Sequence, residues 1–330
     1  MDMKNIAVIG CGGWGKNLVR TFYHQKALCA VCDIDKEKLD DMQNGYKDIY
    51  YTTSYKDIFR DAKIKAVAIA TQADTHYSLA REALLSGKDV FVEKPLALNY
   101  KQGKKLMDIA RDESKILMVG HILQYHPAVI KLKELIDNGD LGKVRYIYSN
   151  RLNIGKLRKE ESILWSFAPH DISAILMLLG SDPIEVGCFG EDYLNEGIFD
   201  VTLTTLLFKN KVKAHIFVNW LHPFKEQKLV VIGSEAMAVF DDLTKEKLFI
   251  YPHKVEWKNG NIPVAHKAEH YSVEVENKEP LMEETKHFIE CISERKSPRT
   301  DGREGIRVLN ILEEAERVLT KNPLREGISI

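Results

Sequence analysis

Short apolar strands alternate with amphipathic helices through the first 120 or so residues, and this alternation constrains the fold more than any other feature. Apolar runs such as IAVI (6–9), AVAI (66–69) and DVFV (89–92) are separated by helical patterns. In HYSLAREALLSG, one helical face carries Leu79, Ala80, Ala83 and Leu84, and Gly87 ends the helix. Because the links are short, successive strands must be joined by crossover helices and run parallel. The sequence therefore predicts an α/β domain with a doubly wound parallel sheet over residues 1–122.

The pattern changes after the strand ILMVG (116–120). A helix is predicted over Pro127–Asp137, and long strands follow, with KNK (209–211) as a hairpin turn between two of them. Hairpin connections favour a mostly antiparallel, open sheet. The chain ends in a helix with a buried stripe of Val308, Ile311, Leu312, Ala315, Val318 and Leu319. A second α/β domain is predicted over residues 123–330.

Charge and composition narrow the range of partners. The chain has 47 Lys plus Arg and 48 Asp plus Glu, which gives a formal charge of −1 and predicts no nucleic-acid or anionic membrane partner. No apolar run reaches the ~18 residues of a membrane span. The N-terminal MDMKNIAVIG lacks the segments of a signal peptide, so a cytoplasmic protein is expected. The eleven histidines are dispersed, no H-E-x-x-H occurs, and no metal site is predicted.

A glycine-rich loop follows the first strand. GCGGWG (Gly10, Gly12, Gly13, Trp14 and Gly15 around Cys11) fits G-x-G-x-x-G between a strand and a helix. Gly10 permits the tight turn, Gly12 lets a pyrophosphate approach the backbone, and the helix N-terminus supplies free N–H groups. Asp33 ends the next strand and can accept hydrogen bonds from ribose hydroxyls. Since a carboxylate there repels a 2′-phosphate, NAD is predicted rather than NADP. The alternative is a glycine turn that binds no ligand.

The stretch DVFVEKPLAL (89–98) brings a lysine to the end of an apolar strand. Pro95 fixes its own φ and restricts Lys94 to extended geometry, and the bond between them is a candidate for the cis form. Carboxyl ends of parallel strands are where open α/β sheets bind ligands. Lys94 is therefore a candidate for hydrogen bonding to a substrate hydroxyl beside the cofactor. The alternative is a surface lysine at the start of a loop.

Over nearly its whole length the chain resembles the glucose-fructose oxidoreductase, inositol dehydrogenase and rhizopine catabolism family of NAD(P)-dependent sugar oxidoreductases. The resemblance rests on GCGGWG, ATQADTHYSLAREALLSGKDVFVEKPLAL, the strand-rich second half and DGREGIRVLNILEEAERV. It implies a Rossmann domain followed by a substrate-binding and oligomerisation α/β domain. In this family the open sheet face of that domain often forms the oligomer interface, so a homodimer or homotetramer is expected.

The resemblance also assigns roles to residues. The family's active-site lysine corresponds to Lys94, with Glu93 and Pro95 beside it in the cofactor-binding group. Thr71 and His76 correspond to the loop that edges the nicotinamide ribose.

The family commonly has D-x-x-x-H-x-x-D, with the histidine as proton acceptor. The matching stretch here is Ser166-Phe-Ala-Pro-His170-Asp171-Ile-Ser173, in which His170 is in place and both acids of the pattern are serine. Histidine suits the role because its pKa lies near neutrality. Whether the adjacent Asp171 orients His170 is left open. The alternative is a capping or core histidine before ISAILMLLG.

Residues 120–173 look like the nucleotide-sugar branch of the family, whose members oxidise the 3-hydroxyl of UDP-N-acetylglucosamine or its uronic acid. Arg151 and Asn153 fall on one face of a strand, and Lys156 and Arg158 follow, so these residues are candidates for holding a diphosphate or sugar carboxylate. The alternative is ordinary surface charge. The other candidate substrate-binding residues are Tyr125, His126, Trp165, His170 and Asp171. Tyr125, His126 and Trp165 are equally interpreted as core or rim residues.

Together these features predict hydride transfer between C3 of a nucleotide-linked hexose and NAD. Lys94 polarises the hydroxyl and His170 accepts its proton. Within the family, the alternatives are a 3-ketosugar reductase and a dehydrogenase for free sugars or inositol. An alternative of another class is a non-catalytic, NAD-dependent sensor.

Overall fold

The computed structural model describes residues 4–155, 157–159 and 161–321. Up to residue 125 the elements are β1 Ile6–Ile9, α1 Gly15–His24, β2 Leu28–Cys32, α2 Lys36–Gly45, β3 Tyr50–Thr52, α3 Tyr55–Arg60, β4 Ala66–Ile69, α4 Ala73–Leu85, β5 Asp89–Glu93, α5 Tyr100–Asp112, β6 Leu117–Gly120 and a 3₁₀ turn, Ile122–Tyr125. They are followed by α6 Pro127–Asp137, β7 Tyr146–Ile154, α7 Ile163–Leu179, β8 Glu185–Glu191, β9 Val201–Leu207, β10 Lys213–Asn219, β11 Leu221–Ile232, β12 Met237–Asp241, β13 Leu248–Tyr251, β14 Lys254–Lys258, β15 Ile262–His266, β16 Tyr271–Ser272, α8 Pro280–Glu294 and α9 Gly302–Thr320.

The chain divides into two compact units. The first comprises the described residues up to Tyr125 together with Lys278–Asn310, and the second comprises His126–Asn277 with the described residues from Ile311 onward. This division differs from the predicted 1–122 and 123–330, because α8 and the start of α9 belong to the first unit. The physical reason is packing: the Phe288 ring meets Phe22 and Phe91 edge-on, with centroids 6.3 and 5.7 Å apart.

The first unit is built on a six-stranded sheet in the order β3-β2-β1-β4-β5-β6, with every neighbouring pair parallel. Strands β1, β4, β5 and β6 are buried along their whole length, as the apolar runs predict. Helix α4 buries Leu79, Ala80, Ala83 and Leu84, the face predicted from the sequence. The predicted doubly wound Rossmann architecture is confirmed.

The second unit is built on an eight-stranded sheet in the order β16-β13-β12-β11-β7-β10-β9-β8. Only β7 and β10 pair in parallel; the other neighbouring pairs are antiparallel, as the hairpins predict. One face packs against α7, where Ser149 of β7 meets Asp171. The opposite face carries Tyr148, His215, Leu203 and Phe189, and the Phe189 side chain is 58% exposed.

Within the described ranges, no helix has the length and hydropathy needed to cross a bilayer.

Candidate active site

The carboxyl ends of three central strands lie side by side in the first unit. Ile9 of β1 pairs with Ile69 of β4, and Ile69 pairs with Val92 of β5. Strand order reverses between β1 and β4, and this is the point where open α/β sheets bind ligands. The loops that leave these strands contain the glycine motif, Thr71 and Lys94, so the structure brings together the residues predicted to bind the cofactor.

The glycines of the loop divide into two kinds. Gly10 has φ +91°, and a Cβ there would lie 2.7 Å from the Ala70 carbonyl oxygen; a Cβ on Gly15 would lie 1.9 Å from the Gly10 oxygen. These two positions are fixed by backbone packing. Around Gly12 and Gly13, in contrast, no heavy atom comes within 4 Å of an added Cβ. The open side of the loop therefore leaves room for a pyrophosphate against the backbone, and the loop fits the dinucleotide predicted from the motif.

Asp33 connects this loop to the end of β2. Its Oδ2 accepts the Cys11 N–H at 2.8 Å and its Oδ1 accepts the Asp35 N–H at 3.0 Å. Each oxygen retains a lone pair for a ribose hydroxyl. The next residue, Ile34, is 89% exposed, an apolar side chain beside the predicted ribose position that the sequence analysis did not single out.

Glu93, the last residue of β5, is joined to the glycine loop. The Trp14 indole Nε1 donates a hydrogen bond to Glu93 Oε1 at 2.5 Å. The carboxyl group is buried, and burial raises the pKa of Glu93 to about 7, opposed by the Trp14 hydrogen bond and the Lys94 charge. Within the protein, then, Trp14 and Glu93 bind each other, and their direct contact with a cofactor stays a prediction.

Lys94 is half-buried directly after β5, and the Lys94–Pro95 peptide is cis. His76 is buried nearby in the sequence of contacts around Pro95. Its Nδ1 lies 2.8 Å from the Pro95 carbonyl oxygen, and its Nε2 lies 3.2 Å from the Thr71 carbonyl oxygen. Thr71 shares a hydroxyl hydrogen bond with Thr75 at 2.6 Å. His76 is only 1% exposed and connects the loops after β4 and β5, and a place for these loops beside the nicotinamide ribose stays a prediction.

A buried acidic cluster lies in the same unit, and the sequence patterns gave no signal of it. His121 pairs with Glu304, which also accepts a hydrogen bond from Gln124 at 2.9 Å. Glu284 of α8 is 0% exposed, and neither of its carboxyl oxygens has a hydrogen-bond partner. Burial, and then the charges of Glu93 and Glu304, raise the pKa of Glu284 well above its ordinary value. The Glu284 carboxyl group therefore holds its proton more tightly than an exposed glutamate does.

In the second unit, His170 lies inside α7, seven residues after the helix begins, and not before it as the capping alternative expected. Its ring is half-buried. The adjacent Asp171 is 2% exposed and is bound by Arg151 through two hydrogen bonds, of 2.8 and 3.2 Å, and by Ser149 at 2.6 Å. Adjacent helical residues point about 100° apart. Asp171 therefore binds Arg151 within the protein, and its contact with substrate stays a prediction.

The positive charge of Arg151 is paired with the Asp171 carboxylate within the protein. Burial opposes its charge, but the Asp171 carboxylate overcomes this and raises the pKa of Arg151 above its ordinary value. Asn153 lies two residues further along β7 with its Oδ1 buried and without a partner. Arg158 is exposed and pairs with Glu161 at 2.7 Å. Lys156 lies outside the described residues. Of the predicted diphosphate-binding residues, Arg151 is therefore held by other protein groups more firmly than Asn153 and Arg158 are.

Two predicted sugar contacts are instead buried in the protein. Tyr125, in the first unit, is 2% exposed, lies under the Arg299 guanidinium and shares a 3.2 Å hydrogen bond with Thr300. Trp165, in the second unit, is 6% exposed and donates its indole N–H to Glu316 at 2.9 Å. Both side chains have polar partners that come from far along the chain, which agrees with the alternative interpretation of these aromatics as core residues. His126 caps α6 and lies 3.4 Å from Asp242.

Among the described residues, no group of three or more His, Cys, Asp or Glu is placed to hold a metal ion. An H-x-x-x-H does occur, at His266 and His270, but it spans the end of β15 and the loop after it, and the His270 ring stacks on Tyr251.

Comparison with known proteins identifies the family. Residues 4–121 match the oxidoreductase family GFO/IDH/MocA, NAD-binding Rossmann fold, and residues 129–239 match the C-terminal domain of the same family. UDP-N-acetylglucosamine 3-dehydrogenase of Acidithiobacillus ferrooxidans is 24% identical over 75% of this chain and 76% of its own. The scyllo-inositol 2-dehydrogenase (NAD(+)) of Bacillus subtilis is 26% identical over 88% of this chain and 87% of its own.

The fold comparison agrees. A solved structure of the Acidithiobacillus ferrooxidans enzyme superposes with a TM-score of 0.82 at 22% identity, covering 95% of this chain and 97% of the other. Both domains of one family are thus present in their usual order, with a glycine loop and acid that fit NAD. The chain belongs to the GFO/IDH/MocA family of oxidoreductases and carries that family's NAD-binding Rossmann domain.

Proposed function

We propose that this protein is a sugar dehydrogenase that transfers hydride between C3 of a nucleotide-linked hexose, of the UDP-N-acetylglucosamine or uronic acid type, and NAD. The observation that carries the proposal is the half-buried Lys94 at the carboxyl end of β5, at the same edge of the sheet as the loop that fits NAD. The choice of sugar rests on the relative that is a UDP-N-acetylglucosamine 3-dehydrogenase, which matches three quarters of both chains.

The side chains divide the work of oxidation. Lys94 donates a hydrogen bond to the sugar oxygen and so stabilises the negative charge that develops when its proton leaves. His170 accepts that proton through a ring nitrogen. Bound NAD supplies the acceptor for the hydride that leaves the sugar carbon. The backbone N–H groups of the glycine loop bind the pyrophosphate, and Asp33 binds the adenosine ribose. The carbon loses a hydride and the oxygen a proton, so the product is a ketone.

A second candidate is a dehydrogenase for a free sugar or inositol. Arg151 supports it, since its guanidinium is bound by Asp171 and is not available to a diphosphate. The relative that is a scyllo-inositol 2-dehydrogenase is similar over a larger share of the chain. A 3-ketosugar reductase uses the same groups in the opposite direction. A non-catalytic sensor is the least favoured alternative, because both Lys94 and His170 are present.

The proposal is tested by incubating the purified protein with NAD and a panel of substrates, following absorbance of NADH. The panel contains UDP-N-acetylglucosamine, its uronic acid, UDP-glucose, glucose, myo-inositol and scyllo-inositol. Turnover restricted to the UDP-sugars, with a 3-keto product identified by mass spectrometry after borodeuteride reduction, would support the proposal. Turnover restricted to the free polyols would replace it with the second candidate. NADH binding without turnover of any compound would favour the sensor.

We also propose that the protein is a homodimer or homotetramer in the cytoplasm, assembled through the open face of the eight-stranded sheet. Phe189 and Leu203, which are 58% and 38% exposed on neighbouring strands, place large apolar side chains on this face and so support the proposal. Light scattering of the wild type and of Phe189→Lys tests it. A monomeric wild-type protein would contradict the assembly.

A further inference from the structure

Glu93 and Trp14 form a direct connection between the two parts of the cofactor site in the first unit. Trp14 lies in the glycine loop after β1, and Glu93 is the residue before Lys94 at the end of β5. Their 2.5 Å hydrogen bond spans 79 positions of sequence. The Trp14 side chain is 43% exposed, whereas the Glu93 residue is 8% exposed, so the bond joins an exposed ring to a buried carboxyl group.

The carboxyl group has little freedom to move away from this position. A Cβ placed on Gly120, which pairs with Glu93 across β5 and β6, would lie 3.0 Å from Oε2 and 3.1 Å from Oε1. The carboxyl group therefore packs flat on a glycine, where any larger residue would displace it. An indole N–H that reaches this fixed acceptor is itself fixed, and the loop that carries the indole is fixed with it.

The groups that face Glu93 set its charge. The residue directly after it is Lys94. After the end of β6 comes His121, which pairs with Glu304 of α9, and α8 contributes Glu284, whose pKa is itself raised by burial. Lys94 and His121 favour the carboxylate, and burial opposes it, which brings the pKa of Glu93 to about 7. An ionised acceptor binds an N–H more strongly than a neutral acid does.

We propose that Glu93 is a positioning residue, which in its ionised form holds Trp14 and thereby keeps the glycine loop in the conformation that binds the dinucleotide. Protonation of Glu93 weakens the bond to the indole and so weakens dinucleotide binding. The inference rests on the NAD-binding domain alone. It is independent of the sugar, so it can fail while the proposed function holds, and the reverse.

The test is calorimetric titration of NADH into the protein between pH 6 and pH 9. In the wild type, NADH affinity should fall about tenfold on going from pH 8 to pH 6. Glu93→Gln keeps an oxygen acceptor but loses the charge, so its affinity should be about tenfold lower at pH 8 and independent of pH. Trp14→Phe keeps the aromatic ring and removes the N–H. It should lose a similar factor at pH 8 and should show no pH dependence between pH 6 and pH 9, because the carboxylate no longer has an indole N–H to bind.

The double variant distinguishes a shared bond from two separate effects. If the residues act as one unit, Trp14→Phe with Glu93→Gln should bind NADH no more weakly than the worse single variant. Trp257→Phe, an exposed tryptophan on β14, is the matched control and should titrate as the wild type does.

Several results would overturn the proposal: a flat pH profile in the wild type, full additivity of the two substitutions, or a pH profile abolished by Glu284→Gln and retained in Glu93→Gln. Because Trp14 is partly exposed, Trp14→Phe keeps the question answerable even if a substitution of the buried Glu93 prevents folding.

Discussion

Arg151 of β7 and Asp171 of α7 form a two-pronged ion pair in the second unit, with Nε 2.8 Å from Oδ2 and Nη2 3.2 Å from Oδ1. Ser149 donates a third hydrogen bond to the same carboxylate. The pair ties the helix that carries His170 to the central strand of the sheet. Any effect of Asp171 on His170, the proposed proton acceptor, therefore passes through the backbone of the helix that carries both residues.

Removing one partner of this pair should be costly. We expect Asp171→Ala to lower the free energy of unfolding by about 3–5 kcal/mol, because it leaves a buried guanidinium without a counter-charge. Urea denaturation at pH 7.5 measures the change. Arg158→Ala, which breaks an exposed pair with Glu161, should cost less than about 1 kcal/mol. Equal effects of the two substitutions would mean that the Arg151 pair contributes no more than a surface ion pair.

Two substitutions in the glycine loop should have different effects, one on NADH affinity and the other on stability. Gly12→Ala adds a methyl group where the protein has no atom within 4 Å, so the melting temperature should stay near that of the wild type while NADH affinity falls at least about tenfold. Gly10→Ala places its methyl 2.7 Å from the Ala70 oxygen at φ +91°, and should lower stability by about 2 kcal/mol or more. Thermal melts measure the stability of both variants, and NADH titrations measure their affinity. A Gly12→Ala protein that binds NADH normally would argue against a pyrophosphate at this loop.

Asp33 should control the choice of dinucleotide. Asp33→Asn keeps an oxygen for the Cys11 N–H and removes the charge that repels a 2′-phosphate, so the affinity ratio of NADPH to NADH should rise about tenfold. Asp40→Asn, which removes an equal charge from an exposed position on α2, is the control and should leave the ratio unchanged. Titration of each variant with both cofactors measures the ratio. A ratio that does not respond to Asp33→Asn would show that another group sets cofactor preference.

Substitutions of Lys94 and His170 should reduce turnover while leaving NADH binding almost unchanged. Lys94→Ala and His170→Asn should each bind NADH within about threefold of the wild type, and should lose at least about a hundredfold in kcat with the sugar identified by the substrate panel. Lys101→Ala and His266→Asn change the same residue types at exposed positions and should keep normal kcat. Normal turnover in either of the first two variants would remove that residue from the proposed mechanism.

The sequence predicted those features that depend on short stretches of chain. The helix Pro127–Asp137 has the predicted bounds, because a proline starts it and an Asn-Gly pair follows it. The KNK turn is present between β9 and β10, where Lys211 adopts φ +65°. The glycine loop and Asp33 meet because neighbouring parallel strands place their carboxyl ends together.

Burial of single side chains was harder to predict, because it depends on residues far away in sequence. Tyr125 and Trp165 are aromatic residues of the kind that the sequence predicts for a sugar pocket. In the structure their hydrogen-bond partners are Thr300 and Glu316, both from the C-terminal region. The periodicity of α8 predicts a buried face but does not identify the residues that cover this face. The packing of Phe288 in the structure is what assigns α8 to the first unit.

Glu284 should make stability depend on pH. In the folded protein, burial raises the pKa of its unpartnered carboxyl group well above 4.5, the ordinary value at which it ionises in the unfolded chain. Because the folded-state pKa is raised, the folded protein holds the proton more tightly than the unfolded chain. There is no penalty below about pH 4.5, and above it the wild type should lose up to ~1.4 kcal/mol per pH unit from this group, until the folded-state pKa is reached.

Glu284→Gln is neutral in both states, so the variant should gain on the wild type as the pH rises from 5 to 8. Urea denaturation at each pH measures the difference in free energy of unfolding. Glu290→Gln, on the exposed face of the same helix, should follow the wild type at every pH. A constant difference between Glu284→Gln and the wild type from pH 5 to pH 8 would mean that Glu284 takes up no proton on folding. The carboxyl group would then have to be ionised in the core, which its lack of hydrogen-bond partners opposes.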